Sequence, residues 1–489
     1  ASFIGCFDLV APFSLASRHW TRRMEDSVEM DVANESDEES KYDHWKGRIS
    51  VLYDAFENHN LQWPAYACCW GQTVRTSEQY THERLFLCRA TDAECGSSTS
   101  SAGKQGTPGD GSVWHGHPHL LSVCSVKIPR VRYYNDGKIG VFDEEGQSNA
   151  VTVEKRIVHP GGINRVKILP KHPEIVVTHC DSPYVFLWNT ETQQHRSSNE
   201  DQQPNTPDLV LKGHTQKAMY ALDCGPNNMI ASGGSDNRVC IWSMDDASSA
   251  TVDKLDKRTS LGAPTFLNAR DGLEGHTATV EDVAFHPKND SLLCSVGDDR
   301  LILLWDRRTS KKKPTQSLVD FHTEDINCIS WNKLDGNLIL TGGSDNGINL
   351  SDLRKTSAPV HSIKYHTNHI TSVQWQPNRG DHFASSSEDG FLCIWDKSKI
   401  GKDPPIHAAK SPPELVFKHS GHRTAVVNFD WNHSTPDGWT MASVSDDSAQ
   451  AAYGGGTLQI WRPSDLIYRP RDQVVDEIEK LECVKRFIF

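Results

Sequence analysis

Short apolar runs separated by turn-forming residues recur along most of the chain. The clearest unit covers residues 273–306 and reads LEGHTATVEDVAFHPKNDSLLCSVGDDRLILLWD. Its three runs VEDVAF, SLLCSV and RLILLWD have the length and the apolar content of strands, and a His-Pro turn and an Asp-Asp turn separate them. A Gly-His pair opens the unit and Trp-Asp closes it. The pattern predicts several short strands in each copy of the unit.

The same unit recurs at nearly constant spacing. From the opening His to the closing position, the first five copies measure 29, 28, 29, 29 and 29 residues. The sixth measures 39, because SAQAAYGGG is inserted before its last run. The pairs are His159–Trp188, His214–Trp242, His276–Trp305, His322–Ser351, His366–Trp395 and His422–Trp461. Such Gly-His to Trp-Asp units are typical of WD40 repeats, in which each unit forms one four-stranded propeller blade.

Strand-like runs before the first repeat complete the predicted ring. LQWPAYACCWG, ERLFLCRAT and HLLSVCSVKIPR supply a seventh blade, and an N-terminal strand paired with the last blade would close the ring and remove free sheet edges. The sequence therefore predicts an all-β fold, a seven-bladed WD40 propeller over 61–470. An apolar stripe predicts an N-terminal helix over 41–60, and VVDEIEKLECV predicts a short C-terminal helix within 471–489. Polar insertions at 191–208 and 243–272 are predicted to be exposed loops.

The histidines of the repeats are predicted to be structural rather than catalytic. A Ser or Thr and an Asp stand at fixed distances before the closing position, so that His, Ser/Thr, Asp and Trp can join by hydrogen bonds. These residues are Ser232, Asp236, Ser295, Asp299, Thr341, Asp345, Ser385, Asp389, Ser443 and Asp447. Ser182 takes the Asp position of the first unit and Ser351 the Trp position of the fourth, so these two blades are expected to be locally weaker.

Composition narrows the function classes. The 489 residues carry a formal net charge of −13, which disfavours a nucleic-acid backbone and favours a basic partner. The 13 cysteines contain no Cys-x-x-Cys, and no run of 18 apolar residues predicts a membrane span. Neither a Walker loop nor a Gly-x-Ser-x-Gly motif is present. We therefore expect no enzyme, no catalytic residue, no cofactor and no metal.

Residues 1–40 form a separate N-terminal extension. Its first part is apolar and then Arg-rich, which fits a transit peptide or gene-model material preceding a natural start at Met24. The segment EDSVEMDVANESDEES is acidic and is predicted to be disordered.

Several longer motifs resemble the RbAp/MSI-like histone-binding proteins. They are NHNLQWP, VEDVAFHP with SVGDD and LLWD, SPPELVFKHSGH and IWRPSDLIYRP. THCDSP, AAKSPPE and GGGTLQIWRPSDLIYRP are similar to the plant FVE-type branch. The resemblance implies a nuclear, non-catalytic subunit of histone deacetylase, Polycomb-type, remodelling or chromatin assembly complexes. It further implies histones H3 and H4 as partners, transcriptional repression and a role in plant flowering-time control.

The resemblance implies two histone sites. The first holds the first helix of histone H4 between the N-terminal helix and a Pro-Pro loop, as an amphipathic helix lies in an apolar groove. Its matching residues are Leu52, Tyr53, Phe56, Pro412, Pro413, Leu415 and Phe417. The second binds the histone H3 tail on the face where the first strand of each blade begins. Its matching residues are Asn164, Tyr220, Glu281, Asp325 and Asn327.

A third candidate site lies at the end of the unit at 273–306. Trp305, Asp306 and Arg308 fit the W-D-x-R box of WD proteins that serve a cullin ubiquitin ligase through its adaptor, and Arg308 is the residue that the repeat does not require. Ser351-Asp352-Leu353-Arg354 is a degraded second copy. The basic cluster RRTSKKKP is either a nuclear-import signal or a solvated loop. A ligase receptor and a general interaction scaffold remain the alternatives to a histone-binding subunit.

Overall fold

A computed structural model describes most of the repeat region. The described residues are 40–89, 94–96, 113–115, 118–130, 148–196, 204–217, 220–247, 264–309, 312–402, 411–434, 438–446, 456–465 and 467–468. The predicted extension and the predicted C-terminal helix therefore lie outside them. No helix in these ranges is long and apolar enough to cross a membrane.

The chain divides into two compact units at Arg48. In the first unit, residues 40–46 are helical, and the rings of Tyr42 and Trp45 lie 5.4 Å apart between their centroids. The second unit begins with a one-turn helix, Ile49–Leu52, and then consists almost wholly of strands. Three short 3₁₀ helices, Pro226–Asn228, Met244–Asp246 and Lys397–Lys399, lie between strands.

Seven antiparallel sheets form seven blades, and the ring of their innermost strands is closed. Blade 1 contains β2 (Ala65–Thr76), β3 (Tyr80–Arg89), β6 (Leu120–Pro129) and β7 (Val151–Val158). Blade 2 contains β8 (Ile163–Leu169), β9 (His172–Cys180), β10 (Tyr184–Asn189), β11 (Leu209–Lys212) and β15 (Thr265–Asn268). Blade 3 contains β12 (Leu222–Gly225), β13 (Met229–Gly233), β14 (Arg238–Ser243) and β16 (Asp271–Glu274).

The remaining blades follow in chain order. Blade 4 contains β17 (Val280–His286), β18 (Asn289–Gly297), β19 (Ile302–Asp306) and β20 (Gln316–Leu318). Blade 5 contains β21 (Ile326–Trp331), β22 (Leu338–Gly343), β23 (Gly347–Asp352) and β24 (His361–Lys364). Blade 6 contains β25 (Ile370–Trp375), β26 (His382–Ser387), β27 (Leu392–Asp396) and β28 (Leu415–His419). Blade 7 contains β29 (Val426–Trp431), β30 (Met441–Ser445), β31 (Thr457–Pro463) and β1 (Tyr53–Asn60). A separate hairpin joins β4 (Glu94–Gly96) to β5 (Val113–His115).

The innermost strands β2, β8, β12, β17, β21, β25 and β29 each contact the next, and β29 returns to β2. The hydrophobic clusters lie between neighbouring blades: Phe86 of blade 1 packs with Trp188 of blade 2, and Phe285 of blade 4 packs with Ala231 of blade 3. Each blade therefore buries its faces against its two neighbours. This confirms the predicted seven-bladed propeller.

Pairing of β1 with β31 closes the ring, as the sequence predicts. The predicted helix over 41–60, however, ends at Leu52. The outer edge of β31 gives backbone partners to the following residues, and the register sets Phe56 opposite Trp461. Tyr53 and Phe56 also fit helical spacing, but the strand satisfies the backbone groups of an otherwise open sheet edge.

The insertion at 243–272 is not wholly a loop. Its segment Thr265–Asn268 forms β15, which pairs in parallel with β11 as a fifth strand of blade 2. The open edge of β11 and the alternating side chains of TFLN explain this strand. Strand β7 of blade 1 is a second element that the sequence did not predict.

The predicted hydrogen-bonded network is present in blade 4. His276 Nε2 lies 2.6 Å from Ser295 Oγ, its Nδ1 lies 2.9 Å from an Asp299 carboxylate oxygen, and Trp305 Nε1 donates to Ser295 Oγ at 2.8 Å. Blade 5 repeats the His and Asp contacts. Burial there raises the pKa of Asp345, but hydrogen bonds from His322 and the backbone outweigh it and hold that pKa at about 2. These side chains stabilise the blades and are not available for chemistry.

Three blades depart from the predicted network. In blade 2, His159 Nδ1 bonds to the carbonyl of Gly161 at 2.7 Å, because Ser182 has replaced the Asp. In blade 3, Trp242 Nε1 donates to the carbonyl of Lys212 rather than to Ser232. In blade 7, His422 Nδ1 lies 2.9 Å from Thr457 Oγ1, while Asp447 lies outside the described residues.

Candidate functional site

The first candidate site lies where β1 meets the outer strand of blade 6. Tyr53 is only 2 % exposed, and its hydroxyl lies 2.6 Å from His419 Nδ1. Its ring contacts Phe417 edge-on at 5.5 Å and Phe56 at 5.1 Å between centroids. The Tyr53–Phe417 contact joins two segments more than 350 residues apart in the chain. Two parts of the predicted groove therefore lie side by side.

Burial divides the groove residues into two classes. Tyr53 and Phe417 are core residues, and Phe417 is 6 % exposed. The half-buried residues are Leu52, Phe56, Pro412, Pro413 and Leu415. A ligand would meet this second class, because the two buried rings mainly hold β1 against blades 6 and 7.

The Pro-Pro segment forms a tight turn at the start of β28. The amide of Leu415 donates to the carbonyl of Pro412 at 3.1 Å, and the amide of Asp396 donates to the carbonyl of Glu414 at 2.8 Å. Leu415 packs against the hydrophobic cluster shared by blades 5 and 6, which contains Trp395. The structure therefore does not bring Leu415 into the aromatic group around Tyr53.

The second candidate site lies at one end of the innermost strands. Asn164, Glu281 and Asn327 occupy the same position in their blades, the additional residue of a β-bulge near the start of the innermost strand. Bulges commonly redirect a side chain near binding sites. Tyr220 and Asp325 stand just before β12 and β21. All five predicted residues therefore lie at the starts of innermost strands.

Glu281 has an unusual electrostatic environment. Its side chain is 9 % exposed, and within the described ranges its Oε1 has no hydrogen-bond partner. Burial, aided by Asp298, raises the pKa of Glu281 to about 8, while Arg165 acts in the opposite direction. Burial and Asp325 raise the pKa of Asp298 to about 6. The carboxyl groups form a desolvated acidic group that a cation would stabilise.

Two residues of this site were missed in the sequence. Asp298 is the first member of the Asp-Asp turn, and Asp299 alone satisfies the repeat, so the surplus acid was the available signal. Arg165 Nε donates to the carbonyl of Tyr220 at 3.1 Å, which places its charge beside the acidic group. Asn327 is already engaged, because its Nδ2 donates to the carbonyl of Ile370 at 2.9 Å and its Oδ1 accepts from Ser344.

Comparisons with known proteins agree with both observations. The family "WD domain, G-beta repeat" matches residues 205–243, 269–306, 312–352 and 357–396. The family of "Histone-binding protein RBBP4", which also covers a component of the CAF1 complex, matches residues 40–100, which include β1 with Tyr53 and Phe56. The WD-40 repeat-containing protein MSI4 of Arabidopsis thaliana is 40 % identical over 460 residues, covering 91 % of this chain and 85 % of that protein. The chain belongs to the RbAp/MSI family of WD40 proteins.

The third candidate site in this RbAp/MSI-family chain is an exposed pair of charges. Trp305 is buried in the blade 4 network, whereas the Arg308 side chain is 65 % exposed. Its guanidinium forms two hydrogen bonds with Asp306, of 2.9 Å from Nε and 2.6 Å from Nη2. Arg354 and Asp352 repeat the same geometry on blade 5, although Ser351 replaces the Trp. Two adjacent blades therefore present the same Asp–Arg arrangement.

One group of described side chains brings possible metal-ligand atoms within 4.8 Å of one another: Asp381, His382 and Asp396. His382 Nδ1 bonds to Asp381 at 2.8 Å, whereas Asp396 lies 3.9 Å from Nε2. A single ion can be reached by just one ring nitrogen, and Lys399 lies 3.6 Å from Asp396. The group is better described as a His held between two carboxylates.

Proposed function

We propose that this protein is a non-catalytic histone-binding subunit of chromatin complexes. Membership of the RbAp/MSI family and the histone-binding match over 40–100 support this function. The observation that carries it is the contact of Tyr53 with Phe417, since it brings the matched segment against the Pro-Pro region of blade 6. The histidines of the blades are engaged in structural hydrogen bonds, which agrees with a binding protein.

The proposed ligand of the apolar site is the first helix of histone H4. Half-buried Leu52 and Phe56 on one side and Pro412 and Pro413 on the other offer apolar surface to an amphipathic helix. Calorimetry with an H4 helix-one peptide tests the proposal. Phe56→Asp should weaken binding, because it sets a charge against the apolar face of the helix. Val74→Asp changes an exposed apolar residue of blade 1 and is the matched control. A folded wild-type protein without measurable binding would contradict the proposal.

The proposed ligand of the acidic group is the basic tail of histone H3. A guanidinium or ammonium group would offset the desolvation of Glu281 and Asp298 and would lower their pKa values. Because the ionised form of Glu281 binds the cation, affinity for an H3 tail peptide should rise between pH 6 and pH 8. Isothermal titration at several pH values checks this, and Glu281→Gln should flatten the profile. Unchanged affinity in Glu281→Ala would remove Glu281 from the site.

We further propose that the protein acts in the nucleus, in histone deacetylase, Polycomb-type or assembly complexes, and represses transcription. The similarity to the plant protein MSI4 and the FVE-type motifs support a role in flowering-time control. Purification from nuclear extract followed by mass spectrometry tests which complex contains the protein. Recovery without histones or any other chromatin protein would favour the general scaffold instead.

A second candidate function rests on the paired charges of blades 4 and 5. Because Asp306–Arg308 and Asp352–Arg354 share one geometry, they offer a two-point docking surface to a cullin ligase adaptor. Co-purification of the adaptor should be lost in the Arg308→Ala, Arg354→Ala double variant. Adaptor binding that survives both changes would contradict this docking mode.

A further inference from the structure

A hydrogen bond crosses from blade 5 to the Pro-Pro turn of blade 6. His361 Nε2 lies 3.0 Å from Glu414 Oε1, and His361 is the first residue of β24, the outer strand of blade 5. Glu414 stands within the turn whose Leu415 amide bonds to Pro412. The side chain of blade 5 thus holds the segment that carries Pro412, Pro413 and Leu415.

Glu414 is buried, although it is a carboxylate. It is 5 % exposed, whereas the His361 side chain retains 28 % exposure. A buried carboxylate is costly unless a hydrogen-bond donor satisfies it, and loss of that donor favours any conformation that returns the carboxylate to water. In this turn, such a conformation would displace the neighbouring Pro413 and Leu415.

The turn is fixed from two sides. Leu415 packs in the cluster with Ile363 of β24 and Trp395 of β27. The carbonyl of Glu414 accepts from the amide of Asp396, so the backbone of the turn stays attached to blade 6. The His361–Glu414 bond is the side-chain polar link between this turn and blade 5. The apolar packing limits how far the turn can move, and the polar link determines where the prolines point.

We propose that His361 is a positioning residue of the apolar site, acting through Glu414 on the Pro412–Leu415 turn. The inference rests on the proposed function of that site as the place where an amphipathic histone helix binds. It extends the site to blade 5, which contributes none of the seven residues predicted from the sequence. It also uses Glu414 for positioning, so that this carboxylate is not available to pair with an arginine of the ligand.

The test compares two peptides on the same variants. In His361→Ala, affinity for an H4 helix-one peptide should fall about tenfold, whereas affinity for an H3 tail peptide should stay within about twofold. Glu414→Gln keeps an acceptor for the imidazole N–H and should retain affinity within about threefold. His361→Ala combined with Glu414→Ala should be no weaker than His361→Ala alone, since the two residues act as one unit. His172→Ala, which removes the His172–Glu174 pair of blade 2, is the matched control.

Hydrogen exchange of the free protein separates this inference from the proposed function. His361→Ala should speed exchange at the amides of Leu415 and Asp396 and leave the other blades unchanged. Faster exchange together with no H4 binding by the wild type would contradict the histone proposal and keep the positioning role. Unchanged exchange and unchanged H4 affinity would overturn the positioning role. Equal loss of both peptides would also overturn it, because it would show a general loss of structure.

Discussion

The two candidate binding regions differ in how far the fold depends on their residues. At the apolar site, Tyr53 and Phe417 belong to the contact that closes the propeller, and Tyr53 is hydrogen-bonded to His419. At the acidic group, Glu281 occupies a bulge position, and its burial is unfavourable for a charge. The first region combines binding with ring closure, whereas the second tolerates an unfavourable group that only a ligand would satisfy. Such local conflict between sequence and stability is expected at binding sites.

The largest effect that separates the two regions is expected at Tyr53. Tyr53→Ala removes a buried ring between β1 and blade 6, and we expect a loss of about 3–5 kcal/mol in the free energy of unfolding. Tyr53→Phe keeps the ring but leaves His419 Nδ1 without its partner, which should cost about 1–2 kcal/mol. Chemical denaturation measures both variants. A loss below about 1 kcal/mol in Tyr53→Ala would show that β1 does not close the ring energetically.

The difference between the regions also explains what the sequence could predict. Repeat spacing alone predicts the propeller, because His276, Ser295 and Trp305 recur with the period of the fold. The strand at Tyr53–Asn60 was beyond local reasoning, since its partner β31 lies about 400 residues away and Tyr53 and Phe56 also fit a helix. Strand β15 depends in the same way on the free edge of β11.

The sites were predictable to a different extent. Family motifs indicated the groove residues, but only the structure shows that Tyr53 and Phe417 are core residues while Phe56 remains partly accessible. The common bulge position of Asn164, Glu281 and Asn327 depends on strand register, which spacing does not reveal. Arg165 has no sequence signal for its role, because its distance to the acidic group depends on the closure of the whole ring.

A smaller effect, of opposite sign, is expected at Glu281. Burial and Asp298 raise its pKa from 4.5 to about 8, so the folded state holds the proton more tightly than the unfolded state. Stability should therefore fall as the pH rises from about 4.5 to about 8. Glu281→Gln removes this loss, and we expect the variant to be more stable than wild type by about 1–3 kcal/mol at pH 8.5 and equal to it at pH 4.

Melting curves over this pH range check the prediction at Glu281. Asp290→Asn, an acid whose side chain hydrogen-bonds to Asn227 on the surface, is the matched control and should shift stability little at any pH. If Glu281→Gln is less stable than wild type at pH 8.5, its carboxylate is a structural partner. The contrast between the two regions would then fail.

The smallest predicted effect concerns two residues that share the bulge position. Asn327 links blade 5 to blade 6 through the carbonyl of Ile370, whereas the described residues offer no hydrogen bond to the side chain of Asn164. Asn327→Ala should therefore lower the free energy of unfolding by about 1 kcal/mol, and Asn164→Ala should change it by less than about 0.5 kcal/mol. Titration with an H3 tail peptide should show the reverse order, because only the free amide of Asn164 can gain hydrogen bonds from a ligand. Equal effects of the two variants in both measurements would mean that the bulge position alone, and not the engagement of its side chain, decides the role of a residue at this end of the propeller.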